Sequence, residues 1–412
     1  MREVAVIGAG ASGLLAAYAA AEGGARVTVY EKNEKAGKKL YITGKGRCNV
    51  TNRCGREVFE ENVVRGGKFL NGAFSRLSPE DLISLLENNG LPLVEERGRR
   101  MYPKSYKASD VTKTLLSMCD QRGVVFSYHT EIGAVERGEE GFLLRDKSGG
   151  ERKADAVILA TGGTSYPATG STGDGYGFAK KLGHTVTALR PSLVGINCEG
   201  GDFPGLQGLS LKNVKITAKR EGKTLGEFFG EMLFTHYGIS GPIVLSLSCR
   251  INREDLKSLA ITIDLKPALS DEVLDSRILR DLEEAKNRQM KNALEKLLPG
   301  KLILPVLKQA DIPETLQANA LNRAMRQRLA RSLKAFAVRA VSLRSFDEAV
   351  VTSGGVDLKE VNASTMESKL CPGLYLCGEV LDADAYTGGY NLQIAFMTGY
   401  TAGKACAAKM IE

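Results

Sequence analysis

The chain has 412 residues, 43% of them hydrophobic and 25% charged, which is enough for two or three domains with a substantial core. The net charge of +8 reads as spread along the chain, a weak argument for nucleic acid, and the cluster Arg97-Gly98-Arg99-Arg100 reads as a solvated face. Three histidines and eight cysteines without CxxC or zinc spacing argue against a metal site. The cysteines are expected to be free thiols of a reducing cytoplasm; a dithiol made from Cys48 and Cys54 is the alternative.

In chain order, the apolar run Val4 to Ile7 leads into Gly8-Ala9-Gly10-Ala11-Ser12-Gly13. An alanine- and leucine-rich helix follows, then a β-branched run, Val27-Thr28-Val29, closed by Glu31. Strand, glycine loop, helix, strand and acid is the order of a dinucleotide site. Gly8 permits the tight turn, Gly10 lets the backbone approach a pyrophosphate, and Gly13 lets helix and strand pack closely. The uncharged run Val4 to Ala21 could be mistaken for a membrane anchor. Its glycines and Ser12 divide it into a buried strand and helix, so no membrane span is expected.

Beyond a loop over residues 32–52, PEDLISLLENNG (79–90) predicts a helix. A second is predicted over Asp110 to Arg122, capped by Ser109 or Asp110. Alternation from Val124 to Arg145 predicts a hairpin or meander, and Ala156 to Ala160 a buried strand. Short alternating strands dominate from 190 to about 262, and helical spacing dominates from Ser270 to about Leu343. Strand-and-glycine patterning then returns and ends in a helix over Gln393 to Met410. The organisation expected is a nucleotide domain from residues 1–189 and 346–412. Inserted in it are a β-rich domain, 190–265 completed by about 335–345, and a helical domain, 266–334.

Two later glycine motifs strengthen the first. Ile158 to Gly163 ends a strand in ATGG, and Leu374 to Asp382 (LYLCGEVLD) ends another in glycine and acid before Thr387-Gly388-Gly389-Tyr390-Asn391 opens the last helix. Together with the first loop they resemble FAD proteins of the two-dinucleotide-binding-domain type. GKGRCNVTN (44–52), GRRMYPKSYKASDV (98–111), TGSTGDGYGFAKKLGH (169–184), GEMLFTHYGISGP (230–242) and GLYLCGEVLDADAYTGGYNLQ (373–393) are similar to the flavoprotein family that includes 3-dehydro-bile acid delta(4,6)-reductase and aminoacetone oxidase. The resemblance covers essentially the whole chain. It implies an α/β fold: a Rossmann-like FAD-binding domain of glutathione-reductase type, with an inserted β-barrel-like domain and a helical domain.

It also implies site residues. Gly8, Gly10, Ala11, Ser12 and Gly13 would cradle the pyrophosphate of a non-covalent FAD, and Glu31 with Lys32 would serve the adenosine ribose end. Lys39 and Gly46-Arg47-Cys48-Asn49 would line the cofactor, and the backbone of Ile132 would read the adenine edge. Ala160, Thr161 and Gly162 would pack on the cofactor. Gly378, Glu379 and Asp382 would flank the ribityl chain, and Gly389, Tyr390, Asn391 and Leu392 would approach the flavin pyrimidine ring. Asp382-Ala383-Asp384-Ala385-Tyr386 departs from the family, which often has glycine before the threonine; Ala385 and Tyr386 would change that wall. For substrate chemistry, Phe234-Thr235-His236-Tyr237 offers His236 or Tyr237 as proton donor, with Phe234 in the apolar wall. His129 and His184 read as structural.

The implied activity is an FAD-dependent oxidoreductase. The leading reading passes hydride from NAD(P)H, bound transiently, through FAD to a conjugated C=C of a hydrophobic, steroid- or bile-acid-like ketone. The alternatives are an amine or aminoketone oxidase using oxygen, an RNA-acting flavoprotein, and a non-catalytic flavin sensor; the dispersed charge argues against RNA. Heating the purified yellow protein should release FAD rather than FMN, because the first glycine loop and Glu31 serve an adenosine diphosphate. Chromatography of the released flavin checks this, and FMN alone would contradict it.

Overall fold

A computed structural model of the chain describes residues 1–200 and 203–408. Met410, the expected end of the last helix, lies outside the described residues. Residue contacts divide the chain into two compact units, Met1–Pro191 with Phe346–Glu412, and Ser192–Ser345.

The first unit is built on a five-stranded sheet. Its order is Leu374–Leu376, Ala156–Leu159, Glu3–Ile7, Arg26–Tyr30 and Val125–Ser127, and every pairing is parallel. Val4 stands opposite both Ala156 and Val27. Three of these strands, Leu374–Leu376, Ala156–Leu159 and Glu3–Ile7, are apolar runs with little alternation, as a parallel sheet covered on both faces requires. The first helix, Ala11–Glu22, is buried along nearly its whole length. Its alanines let the C-terminal helix, Tyr390–Ala408, lie against it backbone to backbone. A Cβ on Gly399 would overlap the Ser12 carbonyl oxygen, and one on Gly403 would overlap that of Ala16. Around the main sheet sit an antiparallel meander (Ile132–Gly138, Gly141–Asp146, Glu151–Ala154) and a small sheet of Thr51–Asn52, Arg100–Pro103 and Leu93–Glu96.

Helix ends follow local chemistry. The helix Pro79–Asn88 starts from Ser78, which accepts from Asp81 N while the Asp81 carboxylate accepts from Ser78 N, a complete capping box. The next helix corrects an expectation. It runs Ala108–Asp120, so Ser109 and Asp110 lie in its first turn, and its N-cap is Lys107, with no side-chain cap. There Asp110 complements the helix dipole instead of capping.

The second unit is a closed six-stranded barrel in the order Ile196–Glu199, Gly238–Ser240, Lys223–Thr235, Ser210–Arg220, Ala260–Asp264 and Phe336–Leu343. Val214, Ile216 and Ala218 pair with Gly230, Phe228 and Gly226, so these residues share one face. The helix Pro242–Ile251 packs on that face through Ile243 and Leu247, which approach the bare Cα atoms of Gly230 and Gly226. Helices Asp271–Glu284, Gly300–Gln309 and Arg323–Lys334 join the same core through Leu274, Leu302 and Leu329. Among the described residues no helix is long and apolar enough to cross a membrane.

Replacing Gly403 with valine should destabilise the first unit by about 3 kcal/mol, because the new side chain meets rigid backbone rather than a mobile side chain. Gly177→Ala, inside the helix Asp174–Lys181 where a Cβ meets nothing, should be neutral or stabilising by up to about 1 kcal/mol. Urea midpoints of the two variants check the opposite signs.

Candidate functional site

The first glycine loop turns between strand and helix under two packing constraints. Gly8 sits at φ +102°, and a Cβ there would come within 2.6 Å of the Ala160 carbonyl oxygen. A Cβ on Gly13 would overlap the Gly8 carbonyl. Gly10 is different: its φ of −82° suits any residue, and a Cβ there would meet no protein atom within 4 Å. Neither conformation nor packing explains this glycine. The space beside it, at the N-terminus of a buried helix with no side-chain cap and no acid in its first turn, fits an anion.

Glu31 directly follows the second strand and is 8% exposed. Its Oε2 accepts from Ala9 N at 2.9 Å, and its Oε1 accepts from Asn33 N at 2.9 Å and Asn33 Nδ2 at 2.6 Å. The acid therefore braces the glycine loop. Thr130 N donates to the Glu31 carbonyl at 3.0 Å, bringing the start of the meander and Ile132 to the end of this strand. Lys32 pairs with Asp174 at 2.6 Å.

Glu379 and Lys39 meet each other. Lys39 Nζ lies 2.7 Å from Glu379 Oε2, while Glu379 Oε1 accepts from Ser165 Oγ and Thr352 N, both at 2.7 Å. Burial works to raise the Glu379 pKa, and the Lys39 charge together with the hydrogen bonds from Lys39, Ser165 and Thr352 outweighs it, holding the carboxyl below its usual range. Sequence reasoning missed Ser165 and Thr352; the short polar loops that carry them gave no spacing signal. Asp382 accepts from Thr187 Oγ1 at 2.9 Å. Gly378, at φ +74°, lies so close to Ser12 that a Cβ would overlap the Ser12 hydroxyl, which joins the late glycine motif to the first.

The third motif meets the GKGRCNVTN segment. A Cβ on Gly389 would fall 2.5 Å from the Thr51 carbonyl carbon, and Thr51 Oγ1 donates to Gln393 Oε1 at 2.7 Å. Asn391 closes its own turn, accepting from Ala385 N at 2.9 Å and donating to Ala385 O at 2.8 Å. Tyr390 turns its ring into the core against Phe59, and Leu392 packs on the same core. The helix makes its first backbone bond from Gln393 N to Gly389 O and has no acid in its first turn. Cys48 is fully buried, and burial pushes its thiol, like that of Cys54, up to about 11, so neither is a ready thiolate. Arg47 stacks on Tyr102 and pairs with Glu96 at 3.1 Å. Gly46 sits at φ +83° at the end of the short 3-10 helix Thr43–Gly46, and Gly162 at φ +73° in the loop after the strand Ala156–Leu159.

Whether these residues fit a dinucleotide has an internal test. Two buried oxygens of the loops, Asn49 Oδ1 and Thr161 Oγ1, have no hydrogen-bond partner in the protein. Asn49 Oδ1 lies in the GKGRCNVTN loop, where a polar ligand would satisfy it; Thr161 Oγ1 faces Gly175, and Thr235, Ser353, Tyr375 and Thr401 carry orphaned oxygens as well. With the open space at Gly10, the site fits FAD.

In the second unit, His236 is exposed in the turn between Lys223–Thr235 and Gly238–Ser240, edge-on to the Tyr237 ring at 5.1 Å. Arg344 covers the Tyr237 ring at 4.4 Å. Phe234 corrects an expectation: it is 0% exposed, packed against Phe203 in the barrel core, and cannot wall a substrate. Strand alternation turns it inward. His184 is structural, buried between Glu360 (3.1 Å) and Ser368 (2.8 Å). Among the described residues there is no metal-binding cluster and every cysteine is free.

Gly10→Val should abolish FAD binding while leaving the apoprotein's circular dichroism and unfolding midpoint near wild type. Gly13→Val should lower both stability and flavin content. Equal loss of stability in the two variants would mean that Gly10 serves packing alone.

The chain matches the HI0933-like protein Rossmann domain over residues 2–405. It is 33% identical to 3-dehydro-bile acid delta(4,6)-reductase of Clostridium scindens, over 99% of this chain and 100% of that one. It is also 30% identical to ribosomal RNA dihydrouridine synthase of Escherichia coli, over 98% of this chain and 97% of that one. Among solved structures it resembles Mycobacterium smegmatis Sdh1, at TM-score 0.52 and 18% identity over 99% of this chain and 68% of that one. It also resembles the 3-ketosteroid-delta4-(5alpha)-dehydrogenase of Rhodococcus jostii, at TM-score 0.50 and 14% identity over 98% and 96%. Those likenesses show a shared fold. The chain belongs to the HI0933-like family and is an FAD-dependent oxidoreductase.

Proposed function

We propose that the protein is a reductase of a carbon–carbon double bond conjugated to a carbonyl, with NAD(P)H as electron donor. The names of the two full-length relatives point to this one chemistry. A delta(4,6)-reductase saturates a conjugated dienone, and dihydrouridine is uridine whose C5=C6 bond, conjugated to the C4 carbonyl, has been saturated. When bound and reduced by NAD(P)H, FAD would supply the hydride to one carbon of the double bond, and a proton donor of this chain would protonate the other. The residues of the first glycine loop would hold the pyrophosphate, Glu31 the ribose, and Gly389 to Leu392 the flavin's pyrimidine edge. The N-terminus of the last helix, with no acid in its first turn, would favour negative charge developing there. His236 and Tyr237 are the proposed proton donors.

The steroid-like ketone is one candidate substrate and the uracil base of an RNA is the other. One observation favours RNA. The positive charge is not evenly spread, contrary to the expectation from sequence. Ser192–Ser345 holds 24 basic and 17 acidic residues, a balance of +7, while the remaining chain holds 32 and 31, a balance of +1. A unit carrying nearly all the net charge suits a polyanion and has no use for a neutral ketone. We therefore read the substrate as uracil in RNA.

The holoprotein, with NADH or NADPH under nitrogen, should add two hydrogens to uridine in transcribed ribosomal RNA, read by nucleoside mass spectrometry. Loss of enone absorbance from a steroid ketone without any change in RNA would overturn the RNA reading and keep the reductase. Flavin reoxidation by oxygen alone, with neither substrate reduced, would overturn both in favour of an oxidase.

A further inference from the structure

One motif of the first unit is left unused by this reading. From Arg97 to Lys107 the chain carries five cations, Arg97, Arg99, Arg100, Lys104 and Lys107, with no carboxylate between them. This is the tip and second strand of the hairpin Leu93–Glu96/Arg100–Pro103, with the turn that follows. The acids that precede it are already engaged: Glu96 pairs with Arg47 at 3.1 Å, and Glu95 with Arg53 at 3.5 Å. Among the described residues no carboxylate pairs with Arg97, Arg99 or Arg100. Arg97, Arg99, Lys104 and Lys107 are exposed, and Tyr106 is 41% exposed beside them.

The hairpin is held rigidly, and it is held to the proposed flavin site. Asn52 Nδ2 donates both to Gly98 O at 2.9 Å and to Gly388 O at 3.1 Å, and Arg53 N donates to Arg99 O at 2.8 Å. Gly388 precedes Gly389, where the last helix begins. One buried amide thus ties the cationic tip to the loop that would face the flavin pyrimidine ring. A solvated face needs no such anchor. A charged rim that must meet its ligand at a fixed distance from the reacting atoms does.

We propose that the Arg97–Lys107 segment contacts RNA phosphates and positions the backbone on either side of the uracil being reduced, with Tyr106 available for stacking on a neighbouring base. The proposal rests on the RNA reading given above. Its side chains act on the nucleic-acid backbone and take no part in hydride or proton transfer.

The test uses the FAD-loaded full chain and a fluorescent fragment of transcribed ribosomal RNA, titrated by anisotropy at several salt concentrations. The triple variant Arg97→Ala/Arg99→Ala/Arg100→Ala should bind about tenfold or more weakly near physiological salt. Its log–log salt slope should be shallower by about 2, as three lost phosphate contacts require. The triple Arg→Lys variant should keep the slope. The anchoring bonds use backbone carbonyls of Gly98 and Arg99, so flavin content and the flavin spectrum report that the fold survives; if they change, Arg97→Gln/Arg99→Gln, which leaves the Arg100 side chain bonded to Arg97 O, replaces the triple variant. Unchanged affinity and slope in a well-folded variant, with wild type binding RNA, would overturn this proposal alone. Failure of the wild type to bind or reduce RNA would overturn it together with the RNA reading.

Discussion

The close approach of bare backbone around the N-terminus of the first helix is the constraint on which the rest of the first unit depends. Gly13 lies on the Gly8 carbonyl, Gly378 on the Ser12 side chain, Gly399 on the Ser12 carbonyl and Gly403 on that of Ala16. Two stretches far along the chain, Gly378 and the Gly399–Gly403 face of the last helix, converge with Gly8 on the start of this helix, and each does so only because a side chain is missing. The unpaired N–H groups of that turn are therefore fixed in direction before any ligand arrives. Donors that need no reorganisation stabilise an anion far better than donors that must be gathered. The capped helix Pro79–Asn88 is the contrast: Ser78 and Asp81 satisfy its N-terminus from within, so it has nothing to offer a ligand.

The two acids that the glycine motifs carry have different work. Glu379 accepts three hydrogen bonds, from Lys39, Ser165 and Thr352, and these tie together parts of the chain that would otherwise diverge after the strands. It builds the wall. Glu31 also accepts three, but Oε2 takes only the Ala9 N–H. A carboxylate oxygen with one donor retains capacity for another, such as a ribose hydroxyl. The same acid can brace the loop and receive a ligand, because Ala9 approaches from the protein side. Residue type alone does not separate these roles; the kind of donor does, because Glu379 is charge-paired with Lys39 whereas Glu31 accepts only from neutral amides.

The parallel sheet and its glycine loop were legible in the sequence because each element is encoded locally, as an apolar strand, a glycine turn and an alanine-rich helix in adjoining segments. What sequence concealed depended on partners far along the chain. The four-residue spacing of Gly399 and Gly403 is visible in TGYTAGK, yet nothing local says that the first helix lies against it. Thr51 and Gln393 sit in separate motifs, and their hydrogen bond appears only when the two meet. The cap expected at Ser109 or Asp110 failed because the helix gained a turn's start at Ala108, where tertiary packing of Ala108 outweighs capping preference. Phe234 failed for a simpler reason: a strand has two faces, and a motif read without its register does not reveal which one is wet.

The division of charge carries the last step. Electron delivery needs fixed donors, packed loops and a satisfied interior, none of which requires net charge, and the unit that supplies them is nearly neutral. Choosing a substrate is a separate task, and it acts over longer distances. At physiological salt the field of a charge extends about 8 Å, so a charge excess confined to one unit acts chiefly on what approaches that unit. A neutral ketone would feel neither field. A polyanion would respond both to the inserted unit's charge excess and to the Arg97–Arg100 tip. Attraction spread over one unit and positioning concentrated at one rigid hairpin are the two requirements for reaching a single base in a long nucleic acid.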